Sequence, residues 1–251
     1  MKKLKKLLFT SIFSVYTLIF CASCIEISFE KQQKEVDYLL ENFGGNYITQ
    51  GYVSLPSRYS SSSSEETTYE KFYSSNLDSY VIVKKSVYQD DFFTESIYFS
   101  SNYPYVKYKT QIEENLKSYV SPDFPNSQIK CFFDVDWHFT SLTSSGYSSD
   151  ENFIKYLVSD FSYSWSKDII FVLIDLSSDE QTDLETRLKS ATYNIYKNYP
   201  SYKINFYITN SSQIDFSTLT YENLYSDTEL YKKFDAHYQK EGSSLTKLSE
   251  E

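Results

Sequence analysis

The chain has 251 residues, of which 41% are hydrophobic and 19% aromatic, with 26 tyrosines against only 5 glycines and 5 prolines. That content supports a packed core and excludes an intrinsically disordered chain. The formal charge is −10; a surface that acidic repels phosphate backbones and anionic lipid heads, which disfavours nucleic-acid binding and membrane attachment through a basic patch.

The first element is a basic head, Lys2, Lys3, Lys5 and Lys6, followed by 17 uncharged residues from Leu7 to Ser23. A basic region, an apolar run and a small-residue junction are the parts of a secretory signal. The run is diluted by Thr10, Ser11, Ser14 and Thr17, and falls at or below the roughly 20 apolar residues that span a bilayer comfortably. It closes on Ala22-Ser23-Cys24, two small residues before a cysteine. This junction resembles the lipobox of bacterial lipoproteins, with Cys21 where a leucine is commonest. The resemblance implies that the Cys24 thiol receives a diacylglyceryl group, that a peptidase cuts just before it, and that the new amino terminus is acylated. The protein would then be exported and held on the membrane by covalent lipid. A plain signal cleaved near Ala22 or Ser23, an uncleaved anchor helix and lipidation at Cys21 are the alternatives. The resemblance covers residues 1–24 alone and implies location, not chemistry. Without the four signal lysines, 20 Lys and Arg face 34 Asp and Glu, a net −14. With Cys24 lipidated, Cys131 is the only thiol left, so no internal disulfide forms and stability rests on core packing.

After a tether over 24–30, the spacing of Val36, Leu39, Leu40 and Phe43 predicts a helix over 31–43, ended by Gly44-Gly45. Tyr47 to Leu55 reads as a strand. Arg58 to Glu66 is a serine-rich hairpin loop. Strands are expected at Tyr69–Tyr73, Ser79–Val87 and Phe92–Phe99, and a helix at Lys109–Val120, stopped by Pro122. Gln128 to Phe139 alternates most clearly: Phe133, Val135, Trp137 and Phe139 on one face, Asp134, Asp136 and His138 on the other. Ser148 and Glu151 form a capping box before a short helix with Phe153, Ile154, Leu157 and Val158. Ile169 to Leu176 suits a central strand buried on both faces. Ser177 and Glu180 open a helix striped by Leu184, Leu188, Ala191 and Ile195, and Lys203 to Thr209 is again a strand. A last helix is predicted over Thr220–Tyr238, and residues 243–251 are expected to be disordered. Three times a helix feeds a strand through a short turn. The fold expected is α+β, with amphipathic helices packed on mostly antiparallel, aromatic-rich sheets. It reads as two small units, 31–105 and 106–242, joined near Tyr105 to Lys109, or as one continuous mixed sheet.

Asp134, Asp136 and His138 are the best candidate constellation, since two carboxylates and an imidazole on one strand face have the donor types for a divalent cation. The competing reading is the wet face of a half-buried strand. Asp90-Asp91 lacks the spaced pattern of a calcium loop and reads as a polar turn. Cys131 reads as core packing rather than a nucleophile. Asn210-Ser211-Ser212 matches a glycosylation acceptor by chance in a bacterial exported chain. The tyrosine runs Tyr98–Tyr108 and Tyr193–Tyr207 could present aromatic platforms for sugars or peptides. No cofactor is expected. The function expected is non-catalytic: an anchored, acidic ectodomain binding a protein, peptide or envelope ligand. The alternatives are an exported metal-dependent hydrolase centred on Asp134, Asp136 and His138, and an immunity or inhibitor lipoprotein whose acidic face plugs a basic partner.

Overall fold

In the computed structural model the described residues are 33–54, 66–89, 95–136, 138–159, 170–177, 182–199, 203–210, 214–220, 234–241 and 244–248. They fall into two units, the first ending at Phe99 and the second continuing from Ser100. The joint expected near Tyr105 to Lys109 lies instead inside a helix, as described below.

The first unit is helix α1 (33–43) with a four-stranded sheet in the order β1 (Tyr47–Tyr52), β2 (Glu66–Ser74), β3 (Ser79–Gln89), β4 (Glu95–Ser101). Strands β1, β2 and β3 are antiparallel, with Phe72 opposite Val81 and Glu70 opposite Val83. Period-two alternation therefore puts Glu70, Phe72, Val81 and Val83 on one face, and all four are buried. Helix α1 ends as its glycines require: Gly44 (φ +63°) donates its N–H to the Leu40 carbonyl at 3.0 Å, and Gly45 follows at φ +94°. This is the left-handed cap that a Cβ penalises. A Cβ on Gly44 meets open space, whereas one on Gly45 runs into the Asn76 carboxamide. Gly44→Ala should cost about 1 kcal/mol and Gly45→Ala about 2 kcal/mol in chemical denaturation; equal costs would remove the Asn76 contact from the account.

The α1 stripe is rotated from the expected one. Leu39 is fully buried, but Leu40 is 42% exposed and Glu35 takes an inward position. Helical spacing carries Glu35, Leu39 and Asn42 along one side, with Tyr38 beside them stacked on Phe99 at 5.6 Å between ring centroids.

The second unit is a five-stranded sheet in the order β5 (Gln128–Phe133), β6 (Ile170–Asp175), β7 (Ile204–Thr209), β8 (Ala236–Glu241), β9 (Ser244–Leu248). Only the β6–β7 pair is parallel, and α4 (Leu184–Tyr196) makes the crossover that a parallel pair needs. Every residue of β6 and β7 is buried. On one face Ile129, Cys131, Phe133, Val172, Ile174 and Phe206 pack with α2 (Tyr103–Val120), α3 (Asp150–Ser159) and α4. On the other, Phe132, Phe171, Leu173 and Tyr207 pack under Ile214, Phe216, Leu219 and Phe234. Lys130 fastens that second cover, its Nζ donating to the carbonyls of Phe216 (2.9 Å) and Leu219 (2.7 Å). The architecture is α+β, with helices on two mostly antiparallel sheets.

Several expected boundaries move. Helix α2 begins at Tyr103 rather than Lys109, because Pro104 sits in its first turn, where a missing N–H costs nothing. Tyr105 and Tyr108 then extend its buried stripe of Ile112, Leu116 and Val120. Ser149, not Ser148, caps α3: its Oγ accepts the Asn152 N–H at 3.3 Å, while Glu151 turns outward to Lys155 at 2.7 Å. Of the box expected at Ser177 and Glu180, Glu180 lies outside the described residues; α4 starts at Leu184 after a left-handed Asp183 (φ +55°), and the Ser177 N–H donates to Asp175. Residues 221–233 of the expected last helix lie outside the described residues, and residues 236–238 belong to β8. The expected disordered tail is corrected over Ser244–Leu248, which pairs with β8 through Leu248 opposite His237 and Leu245 opposite Lys240. Serine, threonine and lysine fill three of its five positions, and an edge strand tolerates that polarity. Among the described residues no helix is long and apolar enough to cross a membrane.

Candidate functional site

Strand β5 stops at Phe133, so Asp134, Asp136 and His138 do not share a strand face. The chain turns there: Asp134 Oδ1 accepts the Asp136 N–H at 3.1 Å, and the His138 N–H reaches the Val135 carbonyl at 3.4 Å. A short antiparallel bridge, Ser101 with Thr140, holds the segment after the turn. Asp136 points to solvent, but Asp134 and His138 are each only 2% exposed. The expected wet strand face is therefore corrected: an Asx turn, a preference of aspartate, overrides the alternation. The His138 imidazole packs 5.2 Å from the rings of both Tyr105 and Phe133. Burial pushes its pKa down to about 4, against the opposing pull of the Asp134 charge, so the ring is neutral at pH 7. Among the described residues no three His, Cys, Asp or Glu side chains gather as a metal site.

Cys131 lies buried in the second unit's core. Burial, and then the Glu113 charge, raise its thiol pKa far above the usual value, which opposes the thiolate a nucleophile needs. Asp90-Asp91 and Ser211-Ser212 lie outside the described residues. The Asn210 N–H donates to Asp235 at 2.5 Å.

The tyrosine runs divide by place in the fold. Tyr105 and Tyr108 are core residues with satisfied hydroxyls, donating to the Leu157 carbonyl (3.2 Å) and to Asp150 (2.8 Å). Tyr98 is 60% exposed and Tyr193 59%. Lys197 lies over the Tyr193 ring at 4.5 Å, and Lys240 over Tyr196 at 4.2 Å.

Two arrangements in the fold were not among the expected sites. The first is a cleft of about 510 Å³ in the second unit, where α2 and α3 meet the end of α4. Its apolar walls are Tyr119, Tyr156, Tyr199, Ile154 and Val158; its polar groups are Asn115, Asn198, Glu151, Lys155 and Lys197. Tyr119 and Tyr199 meet edge to face at 6.3 Å.

The second is a buried acidic cluster in the first unit. Glu35 of α1 and Glu70 of β2 are each 1% exposed. Lys85 Nζ stands 3.5 Å from Glu35 Oε1, and Thr49 donates to Glu70 Oε1 at 2.6 Å. Among the described residues, both Glu35 oxygens and Glu70 Oε2 have no hydrogen-bond donor. Burial lifts the Glu70 carboxyl above the usual range; Thr49 opposes that shift, Glu35 adds to it and Lys85 opposes it. The available signal was the placement of Glu70 two residues from Phe72 and Lys85 two from Val83, charges at inward positions of alternating strands.

No protein-family model matches the chain, and no curated protein does. Among solved structures, a DUF5037 family protein from Ruminococcus gnavus is similar over 69% of this chain and 71% of that one, at 13% identity and a TM-score of 0.29. A likeness at that level carries no argument.

Proposed function

We propose that the protein is an exported lipoprotein, anchored through Cys24, whose acidic ectodomain has a non-catalytic role in binding a protein, peptide or envelope ligand. The observation that carries this reading is the stretch from Lys2 to Cys24: a basic head, an uncharged run and Ala22-Ser23-Cys24. More than one acyl chain makes such an anchor lasting, since each buried CH₂ contributes about 0.8 kcal/mol and one chain alone is marginal. The binding half draws support from the second unit's cleft, whose volume of about 510 Å³ lies in the range of small-ligand sites. The non-catalytic half draws support from the roles already taken by the candidate residues. Asp134 fixes a turn and His138 fills an aromatic pocket.

Metabolic labelling with a radioactive fatty acid tests the anchor. Label should enter the wild-type protein, vanish in Cys24→Ser and persist in Cys21→Ser. Label surviving Cys24→Ser but lost in Cys21→Ser would move the acceptor, and an unlabelled wild type would sink the anchor.

A further inference from the structure

We infer that the cleft between α2, α3 and the end of α4 is a saccharide site, and that the sugar it takes carries a carboxylate. This deepens the binding half of the reading above and is independent of the lipid anchor.

Three properties of the lining point the same way. Tyr156, exposed, and Tyr119, half-buried, bring aromatic rings to one cavity, whose lining is completed by the buried Tyr199, Ile154 and Val158. Rings of this kind offer flat apolar surface and a polar rim, which matches a pyranose, whose C–H faces are apolar and whose edge is hydroxylated. Asn115 and Asn198 add carboxamides, each carrying donors and an acceptor, as vicinal hydroxyls require. Asn198 is held in place, its Nδ2 donating to the Asn194 carbonyl at 3.3 Å.

Charge narrows the class. Two lysines, Lys155 and Lys197, line the cleft against one carboxylate, Glu151, in a chain of net charge −10. This local excess of lysine draws an anion to a cleft of an otherwise acidic chain. Lys155 is paired with Glu151 at 2.7 Å and Lys197 lies over the Tyr193 ring at 4.5 Å, exposed contacts that a carboxylate ligand can exchange at little cost. Lysines without an arginine fork suit a single carboxylate, recognised as a point charge. The volume of about 510 Å³ holds one or two sugar rings.

The test is calorimetric titration of the full chain in detergent with digalacturonate, with neutral cellobiose and inorganic phosphate as separate arms. Digalacturonate should bind saturably and about tenfold more tightly than cellobiose, a difference that Lys155→Gln and Lys197→Gln each reduce. Tyr156→Ala should weaken both sugars together. All three side chains are exposed, so the variants should melt with the wild type, and a shifted melting point would mark a variant to be replaced by its Met counterpart at Lys155 or Lys197, or its Leu counterpart at Tyr156. Failure of both sugars to bind overturns the saccharide site, and equal affinity for the two overturns the carboxylate. Phosphate binding as well as digalacturonate would make the cleft a plain anion site and overturn the sugar. Fatty-acid labelling that persists through any of these failures leaves the anchor standing and removes only this ligand.

Discussion

Lys85→Met should lower the stability of the first unit by about 3 kcal/mol at neutral pH, the cost of removing one partner from a buried ion pair. The side chain of Glu35 is 2% exposed, that of Lys85 18%, and the two stand 3.5 Å apart. Glu70, also buried, adds a second carboxyl whose charge is felt by the same lysine. Methionine keeps the apolar stem and removes the ammonium, and with it the cation that the described residues set against the two acids. A buried charge without a partner is far costlier than a lost surface pair. The pair as a whole need not be stabilising, because an apolar replacement of both partners is often neutral or better. Lys85→Met combined with Glu35→Leu should therefore recover most of the loss. The pH dependence has a definite sign. The Glu70 carboxyl is raised above its usual range in the folded state, so folding favours its proton. Its contribution is present at low pH and is lost as pH rises through the folded value. The damage from Lys85→Met should accordingly shrink as the pH falls. Denaturant melts of the single and double variants at two pH values measure all of this. A single variant that unfolds with the wild type would mean that Lys85 is solvated and the pair absent.

The same residues show what was legible in the sequence and what was not. Periodicity located the helices and strands because burial of apolar side chains is what stabilises them. Ile170–Asp175 was readable as a doubly covered strand from its unbroken apolar run, and both of its faces are indeed packed. The stripe of Leu188, Ala191 and Ile195 was readable for the same reason. Periodicity failed where a polar group had a local use for the backbone. At Asp134 an Asx turn ended β5 although the alternation of Phe133, Val135 and Phe139 continued, so a candidate site built on one face dissolved. At α1 the inward place went to Glu35 rather than Leu40, because Lys85 on the sheet waits for a carboxylate and a sequence does not show who faces whom. The cleft of the second unit was invisible for a related reason. Asn115 and Lys155 come from α2 and α3 and Lys197 from the turn that follows α4, and only the packing of those helices makes them neighbours. The edge strand β9 was lost among polar residues that resemble a tail.

His138 should show no imidazole titration between pH 8 and 5, and its protonation should be coupled to unfolding of the second unit. The ring is 2% exposed, between Tyr105 and Phe133, where an imidazolium loses its hydration. The nearby Asp134 charge favours the proton but is outweighed by burial, and the net pKa is about 4 against the ordinary 6.5. Folding therefore excludes a proton that the unfolded chain accepts below pH 6.5. Stability from this group is complete above 6.5 and is lost as pH falls through about 4. At 1.36 kcal/mol per unit the total is about 3 kcal/mol, a large part of the margin of a small domain. The carboxyl of Glu70 acts in the opposite direction and on the other unit, so it cannot imitate this loss. His138→Leu keeps an apolar side chain in the pocket and has no proton to gain. Near pH 7 it should cost no more than about 1.5 kcal/mol. Between pH 6.5 and 4 it should flatten the decline, so that the variant overtakes the wild type in acid. Unfolding free energies measured for both proteins across that window, with the His138 ring followed by NMR, decide the matter. A ring that titrates near 6.5, or variant and wild type that decline in parallel, would show that water reaches the pocket and that the aromatic packing around His138 does not seal it.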